Sequence, residues 1–182
     1  INWRTGDFEL RTVKSYVMML RIVIMRNIFS KQTTIASNDI QMLLCNEKQF
    51  YKHLEKDLKS ASSHVYIESP YMTTRRVAML APLFVKLIKC DVTITIVTRS
   101  LSEHDSKLRK HSISCSAYLR LLGVQVIHIT GYHHRKLAII DSAIVWEGSL
   151  NILSQNNSKE IMRRIASNKV ARETLGFVKR YR

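Results

Sequence analysis

The sequence predicts an α/β domain with a mixed, largely parallel sheet flanked by helices on both faces. Three observations lead there. Apolar β-rich runs alternate with helical patterns from residue 40 onward, "DVTITIVTRS" is almost unbroken in β-branched residues, as suits a strand covered on both sides, and the spacings fit strand, helix, strand, helix, strand. A chain of 182 residues supports one core of ordinary size. The expected division is an N-terminal appendage or linker over 1–38, where basic and apolar residues mix without a clean period and "SKQTTIASND" reads as a linker, and a folded domain over 39–182.

The elements follow in order. "IQMLLC" (Ile40 to Cys45) reads as a short strand, and Asn46 as the N-cap of a helix in which Phe50, Leu54 and Leu58 recur at four-residue spacing. "HVYIESPYM" is a strand stopped by Pro70. A helix is predicted from Thr74 to Cys90, with Pro82 expected to kink or break it. After the strand "DVTITIVTRS", a polar loop leads into a helix ending "AYLRLLG", with Gly123 as its C′ residue. "VQVIHIT" is the next strand. "KLAIID" and "AIVWEG" flank a tight turn and predict a hairpin. The polar stretch "NILSQNNSK" and "EIMRRIA" lead to a basic amphipathic helix, "KVARETLGFVKRYR".

Composition bounds the function. Twenty-nine Lys and Arg against 14 Asp and Glu leave a net charge of +15, which gathers anions, above all phosphodiesters or anionic lipid. Cys45, Cys90 and Cys115 lie far apart without a CxxC pair, so they are expected as core fillers in a reducing, cytoplasmic setting. The run "YVMMLRIVIM" is interrupted by Arg21 and too short to span a bilayer, and no secretory leader or membrane insertion is expected. No cofactor is expected either. There is no GxxxxGK[ST] loop for an ATPase, and no metal spacing, so activity is expected to survive chelation.

The most charged short segment, "YHHRKLAIID" (Tyr132 to Asp141), opens onto an apolar strand, where charges lose water and need partners or a ligand. His134 and Lys136 are two residues apart and share a face of an extended chain. The hairpin sets them opposite Ser149 and Asn151 of "GSLN", collecting a nucleophile or acid, a cation, a hydroxyl and an amide in one small volume. Such a set can grip and attack a phosphate. Asp141 falls on the opposite face by strand alternation, which argues an orienting or structural role. Arg75 and Arg76, just past "ESPYM", are placed along the groove as substrate-binding residues.

The segment "HRKLAIIDSAIVWEGSLN" (His134 to Asn151) resembles the signature of the phospholipase D superfamily, an HxK…D motif followed by Gly-Ser-x-Asn, with every position filled. The likeness extends more loosely over residues 40–166. "NEKQFYKHLEKDLKSASSHVYIESPYMTTRRV" resembles the opening of bacterial phospholipase D-like nuclease domains, including those attached to helicases. The resemblance implies metal-independent displacement at phosphorus through a phosphohistidine, with His134 as nucleophile and a second histidine as acid and then base. It implies that Lys136, Ser149 and Asn151 hold the phosphate, and that Glu160 supports the imidazole. Because the chain carries one such motif, it also implies a homodimer, and a helicase or ATPase partner in the manner of the helicase-attached relatives.

Three functions follow in order of expectation. The first is an endonuclease, with DNA expected ahead of RNA. The alternatives are a catalytically silent nucleic-acid-binding module and a lipid phosphodiesterase. The neighbouring His133 is read as a rim residue, His64 and His128 as satisfied structural histidines, and Trp146 as core.

Overall fold

The protein is described here by a computed structural model covering residues 35–37, 40–154 and 157–181. What was expected of residues 1–34 lies outside the described residues. Eight strands and four helices follow in chain order: β1 (Ile35–Ser37), β2 (Ile40–Asn46), α1 (Glu47–Lys59), β3 (His64–Glu68), α2 (Thr74–Lys89), β4 (Thr93–Arg99), a 3₁₀ turn (Leu101–Glu103), α3 (Ser106–Leu121), β5 (Gln125–Ile129), β6 (Leu137–Ile140), β7 (Ile144–Gly148), β8 (Ile161–Ala166) and α4 (Asn168–Arg180). They form one sheet of order β1-β2-β8-β7-β6-β3-β4-β5.

The sheet is mixed, with a correction to its polarity. Five of the described pairings are antiparallel and only β3–β4 and β4–β5 are parallel. The parallel part is the strand–helix–strand run that the spacings predicted. The rest is antiparallel because the β6–β7 hairpin needs only a tight turn and β8 returns beside it. β1 falls inside the segment expected to be a linker, yet it pairs with β2 from Ile35↔Met42 to Ser37↔Ile40.

Strand alternation divides the core into two layers. On one face Phe50, Leu54 and Leu58 of α1, Leu80 and Phe84 of α2 and Leu119 of α3 pack with Ile67, Ile94, Ile96 and Trp146. On the other, Ala171 and Val178 of α4 cover Tyr66, Val97, Leu137, Ile139 and Val145. Helices therefore flank both faces. Trp146 is core, as expected, and its indole N–H donates to Asp57 at 2.8 Å.

Local signals behaved as their chemistry predicts, with two exceptions. Asn46 caps α1 through a capping box with Gln49, and Gly123 follows the C-cap of α3 at φ 93°. α2, however, runs unbroken through Pro82, because Val77, Leu80, Ala81, Phe84 and Leu87 bury one continuous stripe whose packing outweighs the lost backbone bond. Cys45 and Cys115 are buried but Cys90, at the C-cap of α2, is exposed and fills no core.

The topology brings functional elements to one edge. The ends of β2, β3, β4, β5 and β7 and the starts of β6 and β8 all lie there, as the pairs Glu68↔Leu137, Leu137↔Glu147, Gly148↔Met162 and Asn46↔Ile161 require. α1, α2 and α3 begin from this edge, so their N-termini add positive potential to it. Among the described residues no helix is long and apolar enough to cross a membrane.

Candidate active site

The motif residues sit in an irregular extended segment just before β6. His134 and Lys136 alternate with His133 and Arg135, so one pair faces solvent and the other faces the interior. The Lys136 ammonium donates to the His134 carbonyl at 2.8 Å and lies 2.9 Å from the ring Nδ1. His134 and Lys136 line a groove of about 410 Å³ with Leu137, Gly148, Ile161 and Arg163. Across the hairpin, the Ser149 hydroxyl donates to one oxygen of Glu160 and accepts the Ile161 N–H at 3.2 Å, while Ser158 donates to the other Glu160 oxygen at 2.6 Å.

Electrostatics bias the imidazole toward its neutral form. Partial burial, then the Lys136 ammonium and the Arg99 guanidinium, lower the His134 pKa from 6.5. A neutral ring keeps a lone pair for attack. Burial also lowers the Lys136 pKa, assisted by Arg99 and opposed by the Glu160 carboxylate.

The interior pair explains how the segment is held. Glu68, at the end of β3, has no exposure and accepts from Arg135 Nε at 2.5 Å, Arg135 Nη2 at 3.2 Å and the Tyr66 hydroxyl at 2.6 Å. Arg135 thus ties the backbone between His134 and Lys136 to a buried anion. His133, expected at the rim, is buried at 6% exposure with its Nε2 3.7 Å from Glu68. Burial, with Arg135, Arg99 and Lys136 adding repulsion, lowers its pKa to about 4, so it is neutral at pH 7 and forms no ion pair there.

That shift carries a sign. The folded state resists protonating His133, whereas the unfolded chain takes up the proton near 6.5. This contribution to stability is complete above pH 6.5 and is lost as pH falls toward 4 and below. Urea unfolding across this window should show stability falling by up to about 3 kcal/mol from this group, and His133→Gln should flatten that slope.

Asp141 is not brought to the groove. It lies beyond β6, about 13 Å of strand away, where its carboxylate accepts the N–H groups of Ser62, Ser63 and His64 at 2.7 to 2.9 Å and the Ser62 hydroxyl at 3.0 Å. Partial burial raises its pKa, but the bonds from His64, Ser62 and Ser63 outweigh it and hold the carboxyl below its usual range. Asp141 and Ser142 have φ of 51° and 50°, the pattern of a type I′ hairpin turn. These bonds join the turn to the start of β3.

The remaining expected residues divide. Glu160 contacts Ser149 and Ser158 and lies in the field of Lys136, so its described bonds go to serines rather than to the imidazole. Asn151 follows Leu150 in a loop tied to the β3–α2 loop through Leu153 and Ser69, and its Oδ1 is buried without a partner among the described residues. Arg75 is exposed in the first turn of α2, while the Arg76 guanidinium stacks 4.2 Å from the Tyr51 ring centroid. His64 bonds Ser63 and Ser142, and His128 bonds Ser116 and Arg120, as structural histidines should.

Gly148 shows why the motif needs a glycine. A Cβ there would stand 2.2 Å from the Ile161 carbonyl oxygen and 2.9 Å from Met162 Cα. Gly148→Ala should therefore push β7 from β8 and displace Ser149, costing about 1 to 3 kcal/mol in thermal or urea unfolding.

Sequence reasoning passed over Glu68, Arg99, Glu103 and Tyr71. An acidic residue closing the apolar run "HVYIE" was the one available signal, since a buried strand end needs a partner for its charge. Arg99 and Glu103 gave none, because they meet the motif segment only through the fold.

Comparison with known proteins agrees with this architecture. Residues 54–180 match the family described as "Cardiolipin synthase, PLD-like domain". No curated protein matches in sequence. Among solved structures, the chain is similar to the phospholipase D family member Nuc from Salmonella typhimurium, with a TM-score of 0.62 and 16% identity over 76% of this chain and 91% of that one. It is similar to NucT from Helicobacter pylori, with a TM-score of 0.60 and 19% identity over 78% and 95% of the two chains. The phosphatidylserine synthase of Haemophilus influenzae Rd KW20 gives a TM-score of 0.56 and 10% identity over 79% of this chain but 38% of its own.

Proposed function

The chain belongs to the phospholipase D-like domain family, and on that premise we propose that it is a metal-independent endonuclease, cutting DNA ahead of RNA through a phosphohistidine. The observation that carries this reading is the groove itself: a neutral-biased imidazole with an ammonium 2.9 Å away, beside the hairpin whose Gly148 lines the same groove, on a chain of net charge +15. Likeness in fold to Nuc, over 91% of that chain, and to NucT, over 95% of that chain, supports the reading.

In the proposed reaction, His134 of one protomer attacks phosphorus and forms a P–N bond as the ester oxygen leaves. That oxygen takes a proton from the imidazolium of the same residue in a second copy. The second imidazole then removes a proton from water, whose oxygen attacks phosphorus and releases His134. Lys136 and Asn151 offset the charge on the phosphate oxygens, Ser149 joins them once its O–H turns from Glu160 to the phosphate, and Arg75 guides the backbone. The second histidine makes a homodimer part of the proposal. Glu160 fixes the serine, a role the resemblance had given it toward the imidazole.

The test is cleavage of labelled single-stranded and duplex DNA and RNA in excess EDTA. Cleavage unaffected by EDTA is the expected result. Binding that weakens steeply with salt, with no cleavage of any substrate, would overturn it in favour of a silent binding module.

A further inference from the structure

Two residues before His134 the chain holds an aromatic ring in an unusual way. Tyr132 is 74% exposed, yet its backbone lies at φ 52°, a left-handed conformation that bulky residues rarely adopt. Two charged side chains hold it there. The Glu103 carboxylate accepts the N–H groups of Gly131 and Tyr132 at 2.7 and 2.9 Å, and Arg99 donates to the carbonyls of Tyr132 and His133 at 3.4 and 3.1 Å. Core packing does not account for this. A ring serving the core would be buried as Trp146 is, whereas the described ring contact of Tyr132 is the Arg99 guanidinium, 6.0 Å from its centroid.

The same guanidinium lies 5.0 Å from the Tyr71 centroid, and the Tyr71 ring stands edge-on to His134 with centroids 6.3 Å apart. Tyr132, Arg99 and Tyr71 thus form an aromatic, cation, aromatic row beside the candidate nucleophile. A phosphodiester in contact with His134 carries its flanking nucleosides past this row. An unpaired base can leave its neighbours and lay its face on an exposed ring, and such stacking tolerates any sequence. A base inside a duplex is already stacked and paired and must be extruded first. A lipid headgroup offers no comparable plane.

We propose that Tyr132 is a stacking platform for an unpaired nucleobase next to the scissile phosphate, making single-stranded nucleic acid the preferred substrate. This rests on the nuclease reading of the groove. The ring is presented by a backbone fixed from both sides, so the platform exists before substrate arrives.

The experiment compares wild type, Tyr132→Ala, Tyr132→Gly and Tyr132→Trp on single-stranded DNA, on duplex DNA, and on a single strand with an abasic site beside the cleaved bond. The glycine variant relieves the left-handed backbone, so a loss shared with alanine traces to the ring. Wild type should favour the single strand, and the Ala and Gly variants should lose about tenfold in kcat/KM on it, as a lost stacking contact implies. Trp should retain activity, duplex cleavage should change less than about twofold, and the abasic strand should cost wild type the same loss while costing Tyr132→Ala nothing more. Equal kcat/KM for wild type and Tyr132→Ala on the intact single strand would overturn the proposal.

A binding arm separates the two readings. If wild type cleaves nothing, the nuclease reading falls, and stacking is judged with a 2-aminopurine single strand on His134→Ala. Fluorescence quenching lost in His134→Ala/Tyr132→Ala supports the platform. Equal quenching, or no binding by either, overturns it.

Discussion

Replacing His134 by alanine is expected to lower kcat/KM for nucleic-acid cleavage by at least about 10⁴-fold while leaving the unfolding transition unchanged. The two halves of this expectation have separate causes. The ring is exposed and its described bonding contact is the Lys136 ammonium, so its removal empties no cavity and orphans no buried donor. The lone pair that would form the P–N bond is lost entirely. Cleavage rates in excess EDTA, paired with urea unfolding of both proteins, check both halves. The wild-type acid limb of kcat/KM should also lie below pH 6.5, because partial burial, then Lys136 and Arg99, lower the pKa of this imidazole.

Glu68→Ala should show the opposite division, with stability as the primary loss. Glu68 is fully buried and takes three hydrogen bonds, two of them from Arg135. Its removal takes away the acceptor of two Arg135 bonds and of one bond from the Tyr66 hydroxyl, a loss of about 3 to 5 kcal/mol, which is a large part of the 5 to 15 kcal/mol typical of a domain. The paired change Glu68→Gln/Arg135→Met removes both charges together and should cost clearly less. Unfolding curves of the single and double variants measure the difference. Where the single variant remains folded, its kcat should also fall, because Arg135 fixes the backbone between His134 and Lys136.

The fold was legible wherever a local signal agreed with its tertiary role. Asn46 capped a helix, Gly123 ended one, and β-branched residues from Thr93 to Val97 formed a strand, buried along its Ile94 and Ile96 face but open at Thr93 on the other. Strand polarity was harder, since β8 lies between β2 and β7 by virtue of partners far away in the chain, and "EIMRRIA" carries no mark of where it pairs. The placement of the candidate site was legible through side-chain spacing: His134, Lys136, Ser149 and Asn151 all fall at the same edge of the sheet. Asp141 marks the limit of that reading, because spacing alone did not show that its carboxylate would bond Ser62, Ser63 and His64 at the hairpin turn. Glu68, Arg99 and Glu103 stayed hidden because each meets the motif segment from a separate strand or turn.

The placement of β8 also sets an order of events during folding. Ser149 gains its partners only when Ile161 docks beside Gly148, and β8 must in turn accept β2 along its other side, from Gln41↔Ala166 to Asn46↔Ile161. The strands being joined come from opposite ends of the described chain, so the entropy of closing that loop is lost before their pairing repays it. A nascent chain can assemble the β3–β4–β5 unit early, while the edge that carries the candidate site waits for β8 to be synthesised. The half-built sheet meanwhile exposes the open sides of β7 and β2, each a template for another chain. The candidate site is thus completed late in folding, and a chain released before residue 166 would carry His134 and Lys136 without the strand that fixes Ser149.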